Sequence, residues 1–162
     1  MLSRLLASSL LILAAGSASA APFYQQHGHW TVMAAGPAAC LAINRPPEEF
    51  NAAPFNSLSI RQRRGALPVL QVFVWPGLFK PGEAATLAIT IGGTRIDLPA
   101  RTFDSYGLET GALPAELIAR LRDGRSAEVV IGGVPQMLLF DISVLEAVLG
   151  ALAACERELP RS

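Results

Sequence analysis

Two glycine pairs, Gly92-Gly93 and Gly132-Gly133, each stand between short runs in which apolar and polar residues alternate. Alternation places successive side chains on opposite faces of a strand. Glycine reaches the positive φ that a two-residue hairpin turn requires. Residues 86–91 with 94–98, and residues 127–131 with 134–140, are therefore expected to fold as two β-hairpins. Pro135 has no N–H to give a ladder, so the second return strand should lie at a sheet edge or begin late.

The rest of the chain is punctuated in the same way. Residues 30–34 and 38–43 are apolar runs around Gly36-Pro37, reading as strand, turn and strand. Residues 57–61 alternate like a half-buried strand and run into the basic turn Arg61-Gln62-Arg63-Arg64-Gly65. In residues 67–75, Val72, Phe73 and Val74 follow one another, which suits a well-buried strand that Pro76-Gly77 stops. Pro46, Pro47 and Pro54, with Glu48 and Glu49, make residues 44–56 a surface loop.

Two helices are expected. Residues 114–123 carry proline in the first turn, Leu117, Ile118 and Leu121 on one face, and Gly124 just past the end. A second helix opens at Ser143, spaced from Glu146 as in a capping box. Its apolar stripe of Val144, Leu145, Val148, Leu149 and Leu152 leads to Cys155. Seven or eight strands and two helices, without regular β-α alternation, indicate a mainly β fold: an antiparallel β-sandwich with one or two short helices packed at an edge or end.

Residues 1–20 have the layout of a cleavable secretory signal. Arg4 precedes an apolar run over residues 5–15, and Ala18-x-Ala20 supplies a small-residue cleavage site. A core of about eleven residues falls short of the roughly 20 that span a bilayer. The C-terminal helix is too short as well, and Asp141 and Glu146 interrupt it, so no transmembrane helix is expected in the mature chain. Removing 20 of 162 residues leaves 142, residues 21–162, enough for one domain. Arg4 leaves with the signal, and the remaining 12 basic and 13 acidic side chains nearly balance. Nucleic acid as a partner loses its electrostatic basis. Export to the periplasm or beyond would place Cys40 and Cys155 where disulfides persist. A bridge between them is expected, two buried free thiols being the alternative. By chain-entropy reasoning, closing so long a loop contributes roughly 4 to 5 kcal/mol.

Several segments, taken in order, resemble the invasion-associated locus B family of exported bacterial proteins. They are Gly28-His29-Trp30-Thr31-Val32, Cys40-Leu41-Ala42-Ile43-Asn44-Arg45-Pro46, Phe79-Lys80-Pro81-Gly82 ahead of Ile89-Thr90-Ile91-Gly92, Ala119-Arg120-Leu121-Arg122-Asp123-Gly124-Arg125, and an apolar helix closing on Ala154-Cys155. The likeness is one of layout and covers most of the mature chain. It implies a periplasmic or envelope-associated β-sandwich with a disulfide, and a role in host-cell invasion or envelope function without a defined enzymatic activity. The chain departs from the pattern at Met33, where many members carry cysteine, in lacking a mid-chain cysteine pair, and in lacking the usual polar, glycine-marked turn before the last helix.

Chemistry-bearing constellations are sparse. His27 and His29 are two residues apart, which in an extended segment would turn both rings to one side, the start of a metal site that would still need further ligands. Arg61, Arg63 and Arg64 could meet anionic lipid headgroups, but a solvated turn is the favoured reading, because three charges without aromatic interleaving make a weak patch. Glu48-Glu49 sits in a proline-rich loop, poor support for a tuned acid/base pair. No GxSxG elbow or phosphate loop occurs. Trp30, Phe73, Trp75 and Phe79 read as core or rim packing, with a ligand groove as the alternative. The sequence thus suggests a non-enzymatic exported protein with no cofactor, binding an envelope protein or an anionic lipid headgroup. A small metal protein or enzyme using His27 and His29, and a lipid or small-molecule carrier, are the other readings.

Overall fold

In the computed structural model, residues 23–45 and 56–160 are described. The expected signal at residues 1–20 and the loop holding Glu48 and Glu49 lie outside the described residues. Among those described, ten strands form one antiparallel sheet. In chain order the elements are β1 (Tyr24–His27), β2 (Trp30–Ala34), β3 (Ala39–Asn44), β4 (Ser57–Arg63), β5 (Val69–Phe73), β6 (Ala84–Ile91), β7 (Thr94–Thr102), β8 (Gly107–Ala112), α1 (Ala115–Asp123), β9 (Ser126–Ile131), β10 (Met137–Asp141) and α2 (Leu145–Glu158). Strand order across the sheet is β1-β2-β3-β4-β5-β8-β7-β6-β9-β10. The mainly β, antiparallel expectation with two helices holds, and its layers are built from one continuous sheet.

Cross-strand rows define the inner face. Val32, Ala42, Ile60 and Leu70 stand side by side on β2 to β5, as do Leu58, Val72 and Leu108 on β4, β5 and β8. Ile89, Val129 and Leu138 continue the same surface on β6, β9 and β10. All are buried in a single core cluster. The sheet doubles over this core, so its two ends approach each other. The Trp30 indole N–H on β2 donates to the Asp141 carbonyl at the end of β10 (3.1 Å), and Asn44 Nδ2 donates to the same oxygen (3.0 Å).

Helix α2 lies against β1 to β4 and against α1, burying Val148, Leu152 and Cys155. Cys155 is bonded to Cys40 on β3, with Cα atoms 6.2 Å apart, so the expected bridge ties the last helix to the inner face of the sheet. No described helix is long and apolar enough to cross a membrane.

Ten strands form where seven or eight are expected. The additions are β1, a polar strand paired with β2, and β8, inserted between β5 and β7. Strand β4 is shielded on both faces over Ser57, Leu58, Ser59 and Ile60, not half-buried. The capping box does not form: α2 starts at Leu145 with no side-chain cap, and the Ser143 N–H instead donates to Asp141 Oδ1 (2.9 Å). Both glycine-pair turns are present, but they differ. Gly92 and Gly93 are both left-handed (φ +57° and +79°), as a type I′ turn requires, whereas of the second pair only Gly133 has positive φ. That turn is closed by the Val134 N–H on the Ile131 carbonyl (3.0 Å), and β10 begins late and lies at the edge, as Pro135 indicates.

Candidate functional site

At one end of the sheet, Phe73 on β5 is paired with Gly107 on β8, and just beyond them the Val74 N–H donates to the Tyr106 carbonyl (2.8 Å). Trp75 and Tyr106 therefore leave the ladder as neighbours. Their rings stack with centroids 5.5 Å apart and planes 9° from parallel. Below them Phe73 meets Phe103 edge to face at 5.5 Å. Asp104 fixes the approach of Tyr106, because its Oδ1 accepts the N–H groups of Tyr106 (2.7 Å) and Gly107 (2.6 Å). The Trp75 N–H donates to Asn56 Oδ1 (2.9 Å), and the Phe79 N–H donates to the Ser105 carbonyl (3.1 Å).

These ties hold open a cleft of about 330 Å³ lined by Phe73, Val74, Trp75, Asp104 and Tyr106. Of its lining, Trp75 (38 %) and Tyr106 (41 %) expose surface; Phe103 (42 %) is exposed where it meets Phe73, and exposed Leu78 (52 %) follows Gly77, which abuts the Tyr106 ring. Single exposed apolar residues are ordinary, but several large ones around one cleft mark an interaction surface. Tryptophan and tyrosine offer an apolar face with a polar tip, so this cleft suits non-covalent binding of a ligand with an apolar face and donors that reach Asp104.

The other candidates are dispersed. His27 ends β1 and His29 lies in the hairpin turn to β2, where Gly28 has φ +55°. The extended geometry that would put both rings on one side is therefore absent. His27 Nε2 lies 3.3 Å from Gln25 Oε1. Among the described residues no group of three His, Cys, Asp or Glu side chains gathers as a metal site would need.

The basic turn also divides. Arg61 faces Glu109 in a half-buried ion pair. Arg64 donates to the carbonyls of Leu159 and Pro160 at the C-terminus of α2, and the Gly65 N–H donates to Glu156 Oε1 (2.8 Å). A cation at unpaired helix-end carbonyls is a favourable arrangement. Arg63 ends β4 and Arg64 stands in the turn that follows, both of them exposed, while Arg61 and Arg64 each have partners within the chain. Trp30 is core, whereas Phe73 and Trp75 line the cleft. Tyr106 and Asp104 carry no signal in the sequence, because only the β5–β8 pairing brings them to Trp75.

A second feature, on the outer face, is a polar row. Ser57, Ser59 and Arg61 share one side of β4, and Ser59 is flanked across the sheet by Gln71 and then Glu109. Gln71 Nε2 donates to Glu109 Oε2 (2.7 Å). Among the described residues, the buried hydroxyls of Ser57 and Ser59 and the buried Arg61 Nε have no hydrogen-bond partner.

Asp141, beside the junction of the sheet ends, is held below the usual carboxylate range. The Ser143 backbone N–H is the main cause, helped by the Ser143 hydroxyl and the nearby charge of His29, with slight burial opposing.

No family model and no curated protein matches this chain. Among solved structures it is similar to invasion associated protein B from Bartonella henselae, with a TM-score of 0.59 and 15% identity, over 83% of this chain and 99% of that one. At that identity the likeness is one of fold.

Proposed function

We propose that this chain is an exported, non-enzymatic binding module of the invasion-associated locus B type, which engages another component of the bacterial envelope through the aromatic cleft at the β5–β8 end. The observation that carries the reading is the pair of exposed rings that lines the cleft, Trp75 stacked on Tyr106, with Phe103 packed edge to face on Phe73 of the same lining. Such a surface costs solubility unless something covers it. The shared fold with invasion associated protein B, the segment-by-segment resemblance in sequence, and a disulfide that favours an oxidising compartment all support the same reading.

A photo-crosslinking residue in place of exposed Leu78, next in sequence to Gly77, which abuts the Tyr106 ring, tests it when introduced in cells. A discrete adduct with an envelope component should form, and it should be lost when Trp75→Ala is added. A reproducible hydrolytic activity of the pure protein, with no adduct, would sink the proposal. Mass spectrometry of the protein recovered from the periplasm should find Ala21 as its first residue, and an intact Met1 there would remove export by cleavage.

A further inference from the structure

The side chains that line the aromatic cleft carry a single charge. Phe73, Val74, Trp75 and Tyr106 supply three rings and an isopropyl group, and Asp104 is the charged residue among them. Asp104 Oδ1 accepts the N–H groups of Tyr106 and Gly107. Among the described residues, Oδ2 has no hydrogen-bond donor and no cation pairs with Asp104. The residue is half-buried, so water and salt screen its charge incompletely. By contrast, the groove of about 510 Å³ next to Phe103 holds both signs, Arg101 and Glu109, and Glu109 already faces Arg61.

A positive charge is attracted both by a carboxylate and by the negative faces of aromatic rings. In this cleft the rest of the ligand must be apolar. A primary ammonium brings three N–H donors and a guanidinium five. With Asp104 Oδ2 and the Tyr106 hydroxyl as the side-chain acceptors, most of those donors would lose water and gain nothing. An ammonium that carries methyl groups has one donor for Oδ2 and an apolar remainder for the rings. The volume of about 330 Å³ stands at the lower limit of the roughly 300–1,000 Å³ of small-molecule sites, which suits such a group and not a length of polypeptide.

On the reading of this cleft as the binding site, on which the step rests, we infer that it takes an N-methylated ammonium group. Cation–π attraction to Trp75 and Tyr106 and a charged hydrogen bond to Asp104 Oδ2 hold it there.

The probe is protonated N,N-dimethylethanolamine, titrated into the disulfide-bonded protein at fixed ionic strength while the indole N–H signals are followed by NMR. The chain has two tryptophans. Trp75 reports on the cleft, and Trp30, buried with its N–H on the Asp141 carbonyl, is the control. The Trp75 signal should shift saturably while that of Trp30 stays in place. Isoamyl alcohol, a neutral analogue of the same shape, and ethanolamine, which lacks the methyl groups, should each bind at least fivefold more weakly. Asp104→Asn keeps an oxygen for the Tyr106 and Gly107 N–H groups but removes the charge, and should abolish the preference for the amine over the alcohol. Where that variant does not fold, Trp75→Leu, read from the Tyr106 amide, should weaken amine binding at least fivefold. Vesicles of phosphatidyl-N,N-dimethylethanolamine that retain the protein where phosphatidylglycerol vesicles do not would name a lipid headgroup as the source, and binding of the free amine alone a soluble one; either upholds the chemistry. An alcohol that binds as well as the amine, a preference unchanged in these variants, or no saturable shift at Trp75 overturns the inference. If the Leu78 adduct still forms and is lost with Trp75→Ala, the cleft then remains a binding site for another chemistry. A preference for the amine without any adduct upholds the ligand class and removes the envelope partner.

Discussion

Glu109 takes two donors, the Arg61 guanidinium and Gln71 Nε2, on a part of the outer face that water reaches poorly. Glu109→Gln would leave Arg61 as a half-buried cation whose Nε already lacks a partner. The expected loss is about 1–3 kcal/mol in denaturant unfolding. Arg63→Ala, at the exposed end of β4, should stay within about 0.5 kcal/mol. Ser59 gives the opposite sign. Its hydroxyl is buried and receives nothing in return, so Ser59→Ala should be neutral or stabilising by up to about 1 kcal/mol. Asp141 adds a pH dependence. Its folded pKa lies below the unfolded value of about 3.9, so its contribution is complete above that pH and fades as pH falls through the folded pKa. Thermal midpoints of Asp141→Asn and the parent should therefore differ at neutral pH and converge in strong acid.

At the scale of single elements, two glycine pairs that look alike in sequence make different demands. Gly93→Ala forces alanine into a left-handed turn and should cost about 1–2 kcal/mol. Gly132→Ala should be tolerated within about 0.5 kcal/mol, because its φ is not left-handed and an added Cβ comes no closer than 3.7 Å to Thr86. Equilibrium unfolding of both variants decides. These hairpins and both helices were legible because each is specified by residues adjacent in sequence. Strand β8 was not. It holds Gly107, Glu109 and Gly111, its register shifts opposite Val69 and Gln71, and it exists only because distant β5 and β7 pair with it. Strand β1 is mostly polar and exposed over Tyr24, Gln25 and Gln26, so no apolar period announces it. The aromatic cleft inherits the same difficulty: Trp75 is visible as an aromatic residue at a strand end, but Tyr106 and Asp104 reach it only through β8. The capping-box pattern at Ser143 misled for a local reason, since Asp141 takes the Ser143 N–H first.

For the whole molecule, the question is what keeps a ten-stranded sheet folded over one core when its first and last strands are not paired with each other. Two restraints act from opposite sides. The Cys40–Cys155 bond fastens α2 to β3, and replacing both cysteines by alanine should cost about 2–5 kcal/mol in unfolding experiments. The other restraint is Trp30, which fills the inner face and ties β2 to the end of β10 through its indole N–H. The two contributions of Trp30 separate by substitution. Trp30→Phe keeps most of the buried ring but removes the donor, and should cost about 0.5–1.5 kcal/mol beyond the small loss of volume. Trp30→Ala also opens a cavity, and should cost about 3–5 kcal/mol. If the doubling of the sheet depends on that link, Trp30→Phe should also speed amide exchange along β10 while leaving the β6–β7 hairpin protected. Equal acceleration in both places would mean that the sheet opens only by unfolding as a unit.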